Sequence, residues 1–206
     1  MSSVTLSSSA LPKQKDSEFY FEDGNIILAP GCGRSDACLF RILMSQLAKQ
    51  SEVFSDMAKI PPPNENDSSS GSELIECCPV IRMDDDPQEL RNTFHLLWDV
   101  PSEIYDAATV LGVLRVASKY VMPKARAWAI RQLEILFPPS PEELFYKSHF
   151  EQYQKGQTAV ELVLASHQCD TPAFFPYAYF ALVTVDWSNR ERLDQMGLNR
   201  LEGPCS

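Results

Sequence analysis

The segment from Ile104 to Met122 constrains the fold most. Apolar residues stand at Ile104, Ala107, Val110, Leu111, Val113, Leu114, Val116, Ala117 and Val121, leaving Gly112, Arg115 and Lys119 as a narrow polar stripe. A helix that is apolar around most of its circumference needs neighbours on most sides. It is expected to be the central helix of a packed domain, so the rest of the chain must supply what covers it. Lys124 to Phe137 offers one amphipathic helix, through Ala125, Trp128, Ala129, Leu133 and Leu136, ended by Pro138-Pro139. Asp86-Pro87-Gln88-Glu89 begins another: Asp86 caps, Pro87 suits the first helical position, and Leu90, Phe94, Leu97 and Trp98 follow on one face.

The first third of the chain has a different character. Phe19-Tyr20-Phe21 and Asn25-Ile26-Ile27-Leu28 are strand-prone runs on either side of Asp23-Gly24, which predicts a β-hairpin. From Ala37 to Met57, the residues Leu39, Phe40, Leu43, Leu47, Val53, Phe54 and Met57 recur at mostly helical spacing, with Ser51 marking a break between two short helices. Pro79 to Met83 reads as one short strand. Met1 to Lys15 is polar and of low complexity, and order is expected from Asp16 onward. Pro61 to Glu73 contains no apolar residue to bury and reads as a solvated insertion within a domain. Beyond residue 138, Ser140-Pro141-Glu142-Glu143, Thr158-Ala159-Val160-Glu161, Thr171-Pro172 and Ser188-Asn189-Arg190-Glu191 each look like helix starts. The expected organisation is a tail over residues 1–15, an α+β domain over 16–137 with the insertion at 61–73, and a helical extension over 138–206.

Charge and composition exclude several classes of function. With 18 Lys and Arg against 28 Asp and Glu in 206 residues, the formal charge of −10 argues against nucleic acid as a direct partner. The most apolar run, Phe174 to Val185, contains Pro176 and is too short to cross a bilayer core, which needs about 20 residues of helix. The Ser-rich start has no basic region or apolar stretch of a secretory signal, so the expected location is intracellular, cytoplasmic or nuclear, with its six cysteines reduced. Cys77-Cys78 and Cys32-x5-Cys38 lack the spacing of a zinc site, and Gly31-Cys32-Gly33-Arg34 lacks the Lys-Ser or Lys-Thr of a phosphate loop. Asp84-Asp85-Asp86 lacks alternating oxygen ligands and reads as a helix cap. His95, His149 and His167 stand in no nucleophile motif. The expectation is a chain without cofactor, metal or catalysis. Its charge is polarised: twelve acidic residues from Asp56 to Asp106 face only Lys59, Arg82 and Arg91. Ala107 to Leu133 carries Arg115, Lys119, Lys124, Arg126 and Arg131 with no acidic residue, a helix face expected to pair with acidic neighbours.

Phe40-Arg-Ile-Leu-Met-Ser-Gln-Leu-Ala-Lys-Gln-Ser-Glu-Val-Phe54 resembles the first helical segment of the BTB/POZ domain, a Phe-basic-apolar-His-basic-x-x-Leu pattern followed by Ser-x-x-Phe. Further elements arrive in that family's order: the hairpin expected from Phe19 to Leu28, the strand Val80-Ile81-Arg82-Met83 before Asp84-Asp85, the helix ending Leu96-Leu97-Trp98-Asp99, and Val116-Ala117-Ser118-Lys119-Tyr120, similar to an Ala-x-Lys-Tyr signature. The resemblance covers roughly residues 16–137 and is closest in style to fungal BTB proteins. Two departures stand out. The family's His and following basic residue fall on Leu43 and Met44, which puts a polar corepressor groove in doubt, and the insertion at 61–73 lengthens one connection.

The resemblance implies an α+β interaction module, a helix cluster flanked by a short sheet, that homodimerises and recruits other proteins. Leu39, Leu43, Met44 and Leu47 are the candidate homodimer contacts, as an apolar stripe seeking a second copy. Many members are substrate adaptors of cullin-type ubiquitin ligases. Leu74-Ile75-Glu76 fits a hydrophobic-x-Glu pattern used by some of them, which nominates Met57, Leu74, Glu76 and Tyr105 for a cullin scaffold, with an unknown client as a further partner. A transcriptional cofactor or structural scaffold is the alternative reading, and an unrecognised hydrolase the remote one.

Overall fold

The computed structural model describes residues 11–12, 14–60, 73–98, 105–137 and 156–184. It is a mixed α+β chain that divides into two compact units, residues 1–101 with 116–126 and residues 102–115 with 127–206. The first six residues of order in the sheet, β1 (Lys15–Tyr20), are followed by β2 (Ile26–Pro30) and β3 (Leu39–Ile42). Two short helices come next, α1 (Met44–Ala48) and α2 (Glu52–Met57), then β4 (Leu74–Ile75) and β5 (Cys78–Met83). Four longer helices complete the described chain up to the C-terminal pair: α3 (Pro87–Trp98), α4 (Ala107–Lys119), α5 (Pro123–Leu136) and α6 (Gly156–Gln168). A 3-10 turn (Pro172–Phe174) then leads into α7 (Phe175–Thr184).

The sheet has the order β1-β3-β2-β5-β4. This corrects the expected hairpin: β1 does not pair with β2, because β3 lies between them, parallel to β1 and antiparallel to β2. Leu39 to Ile42 is correspondingly strand rather than helix. Gly24 serves close approach instead of a left-handed turn, since a Cβ there would lie 2.7–2.9 Å from Arg41 Cγ, the Arg41 carbonyl carbon and the Ile42 nitrogen. β2 is buried along its whole length and pairs parallel with β5 on its other side. A five-residue strand reading Ile-Ile-Leu-Ala-Pro with no polar side chain fits a position covered on both faces.

Alternation separates those faces. Ile26, Leu28, Phe40 and Ile42 are buried on one, where Phe94 of α3 meets Phe19 and Phe40 edge to face, each at 5.5 Å between ring centres. Ile27, Ala29, Leu39 and Cys78 form a second cluster on the opposite face, with Leu11, Tyr20, Cys32, Ile75 and Val80 packed against it. β1 departs from regular pairing: Lys15 faces Leu39 and Tyr20 faces Arg41, so the residues between them bulge outward. The bulge is held by the enclosed carboxylate of Asp16, which accepts from the Glu18 and Phe19 amides at 3.0 and 2.9 Å and from Arg91 Nε and Nη2 at 2.9 and 2.6 Å.

The helix ends follow local chemistry. Ser51 caps α2, accepting from the Phe54 amide at 3.2 Å while its hydroxyl donates to the Tyr120 carbonyl at 2.5 Å. Asp86 accepts from the Gln88 and Glu89 amides and caps α3, as its sequence indicates. Leu43, at the N-cap of α1, has no side chain to do this, and Asn25 Oδ1 accepts from the Met44 amide at 2.8 Å in its place. In α4, Val110, Leu111, Val113, Leu114, Val116 and Ala117 are all buried, in keeping with the helix's nearly continuous apolar surface. In the second unit Ala129, Leu133 and Phe137 are buried, and Cys169, following α6, donates to the Leu114 carbonyl. The helix starts expected at Ser140 and Ser188, the tail over 1–10 and the insertion over 61–72 lie outside the described residues. Among the described residues no helix is long and apolar enough to cross a membrane.

Candidate interaction surface

The four residues expected to form one self-association stripe are split by the fold. Leu39 is 3% exposed, inside the second apolar cluster, and Leu47, on α1 itself, is 0% exposed. The expectation of a continuous exposed stripe is corrected here: Leu39 lies in a strand whose inner neighbours cover it, and Leu47 is the one buried residue of α1. Leu43 and Met44, at the start of α1, remain half-buried.

Of the residues assigned to a cullin scaffold, Met57 is half-buried at the end of α2, and Leu74 is 64% exposed on the edge strand β4. Glu76 lies in the two-residue turn joining β4 to β5. Tyr105 belongs to the second unit, half-buried with its ring edge to face against Trp128 at 4.9 Å. The fold thus keeps Leu43, Met44, Met57, Leu74 and Glu76 on one unit, each with some exposure.

The β4–β5 turn was hidden from sequence reasoning. Its central residues, Glu76 and Cys77, have φ of 49° and 62°, the left-handed pair of a type I′ hairpin usually supplied by Asn-Gly. Glu76 is met by Lys15 Nζ at 2.5 Å and Arg41 Nη1 at 2.9 Å. The Lys15 hydrogen bond foremost, with Tyr20 and Arg41 assisting, holds its carboxyl below the ordinary glutamate range. Lys15 also lies 4.4 Å from the centre of the Tyr20 ring. These partners are 61 and 35 positions away in sequence, so no local pattern announces them.

The aspartates read as caps have separate occupations. Asp86 caps α3 and pairs with Arg34, while Asp85 accepts from Tyr120 Oη at 2.5 Å and Lys119 Nζ at 2.9 Å. Burial, followed by the Asp85 hydrogen bond, pushes the Tyr120 hydroxyl well above the ordinary phenol range. The Ala-x-Lys-Tyr residues thus anchor the end of α4 to the end of β5 through one carboxylate. Lys119 bears out the expectation that part of the basic set pairs with an acidic neighbour.

The histidines in the described residues sit among aromatic rings: His95 lies beside Glu18 and the Phe19 ring, and His167 beside Tyr179 and Phe175. His149 lies outside the described residues. Among the described residues no three His, Cys, Asp or Glu side chains group to hold a metal ion. No family model matches the sequence, and no curated protein matches it either.

Proposed function

We propose that this chain is a BTB/POZ-type protein-interaction module that homodimerises and recruits other proteins without performing chemistry. The observation that carries this reading is the order of the elements around one core. An antiparallel β2–β3 pair leads directly into the α1–α2 pair, β5 returns parallel to β2, and α3 packs Phe94 on Phe40. Phe40 and Phe54, the ends of the segment that resembles the family, are both buried, and Lys119 and Tyr120 of the Ala-x-Lys-Tyr run share Asp85. Phe40, Phe54, Lys119 and Tyr120 thus have packing or bonding roles that support this reading.

The self-association contact is centred on Leu43 and Met44, the members of the expected stripe that keep surface to offer. Sedimentation equilibrium at tens of micromolar, the order expected for a moderate interface, tests it. A dimer that falls apart in a Leu43→Asp, Met44→Asp variant supports the reading, and a monomeric parent chain refutes it. Recruitment of a cullin scaffold uses Leu74 and Glu76 on the β4–β5 hairpin. Leu74→Ala with Glu76→Ala is expected to weaken co-purification of such a scaffold, and unchanged recovery removes that partner.

A further inference from the structure

Lys15 opens an edge strand of the sheet, and Glu76 lies in the turn beside the other edge, with β3, β2 and β5 between them in strand order. Their contact at 2.5 Å therefore closes a curled sheet across its second apolar cluster, and Arg41 of β3 joins the same carboxylate from below. Behind that closure Cys78 is buried, its thiol donating to the Gly24 carbonyl.

Three features make this closure separable from the rest of the fold. The Lys15 and Glu76 side chains are half-exposed, so salt screens their attraction, unlike that of the enclosed Asp16 carboxylate. The bulge in β1 divides its Lys15 end from the Phe19 end, which Asp16, Arg91 and the main core hold independently. The turn itself carries two non-glycine residues in left-handed conformation, a strain that opening relieves.

We propose that Lys15, Glu76 and Arg41 form an ionic latch that closes the β4–β5 turn over the second apolar cluster, and that its release exposes Cys78 while the main core stays folded. This device goes beyond the recruitment reading and stands or falls without it. In the full chain carrying Cys77→Ser, native-state alkylation of Cys78 is followed by peptide mass spectrometry. Because each exposed ion pair contributes modestly, raising sodium chloride from about 20 mM to about 0.5 M is expected to speed Cys78 labelling about three- to tenfold. Lys15→Ala should show a faster rate already at low salt and a weaker salt dependence, Arg41 alone still holding Glu76, whereas Lys15→Arg should keep both the slow rate and the full dependence. Cys38 and Cys169, buried elsewhere, should not change. A Cys78 rate indifferent to both salt and Lys15→Ala overturns the latch, and so does a parallel rise at Cys38 and Cys169, which would mean general loosening.

Discussion

Replacing Asp16 by Ala should be among the most damaging single changes in the first unit, although Asp16 lies near the start of the described chain. Its carboxylate is fully enclosed and receives four hydrogen bonds, two from backbone amides and two from Arg91. Alanine leaves two amides without their acceptor and a partly buried guanidinium without its countercharge, Gln88 Oε1 remaining to it as a neutral acceptor. Removing one partner of a buried ion pair costs about 3–5 kcal/mol. The Arg91 side chain is 26% exposed, so water recovers part of its solvation and the low end, about 3 kcal/mol, is expected. At about 2–4 °C per kcal/mol for a chain of this size, Tm should fall by about 6–12 °C. Arg91→Met should cost less, because Asp16 then keeps both amide donors.

The same carboxylate sets an acid limb. Burial pushes the Asp16 carboxyl upward, but the Phe19 and Glu18 amides and Arg91 outweigh it and hold it below the ordinary aspartate range. A depressed folded value means that its stabilisation is fully present above the unfolded value of about 3.9 and is lost as pH falls from there through the folded value. Urea unfolding followed by far-ultraviolet circular dichroism between about pH 7 and pH 3 should show Asp16→Asn losing less stability on acidification than the parent. An Asp16→Ala cost below about 0.5 kcal/mol, or equal acid limbs in parent and Asp16→Asn, would refute the argument.

Other changes test separate joints. Gly24→Ala should destabilise by more than its small size suggests, because the new methyl group meets the Arg41 and Ile42 backbone, and thermal unfolding would read the loss. Ser51→Ala removes both the α2 cap and the bond to the Tyr120 carbonyl and should cost about 1–2 kcal/mol in urea unfolding, with Ser51→Thr losing less. Cys77→Gly should instead raise stability by about 0.5–1 kcal/mol, since glycine adopts the left-handed φ without strain and the exposed thiol is not needed for packing.

Helices whose signal is local were legible in the sequence. Asp86 followed by Pro87 marks a helix start through groups within one turn, and the apolar positions from Val110 to Ala117 recur at a spacing that only a helix can bury on one continuous surface. Strands were legible at Ile26 to Leu28 and Pro79 to Met83, but the pairing of the sheet was not, because it depends on residues far apart. Leu39, Phe40, Leu43 and Leu47 fit helical spacing as well as they fit a strand followed by a helix. What makes Leu39 to Ile42 a strand is backbone pairing to Ile26 through Leu28 on one side and to β1 on the other.

The candidate surface shows the same division. Exposure of Leu74 and burial of Leu39 and Leu47 are decided by neighbours from other elements, so an apolar pattern nominates residues for either fate. Glu76 is a sharper case. Its sequence neighbours suggest a contact reserved for a partner, yet within its own chain it already holds Lys15 and Arg41. A partner's cation reaching Glu76 would have to displace one of these groups. Binding at this turn and closure of the sheet are therefore competing uses of one carboxylate, and by linkage Lys15→Ala, which removes the internal competitor without screening Glu76, should strengthen such a partner's hold.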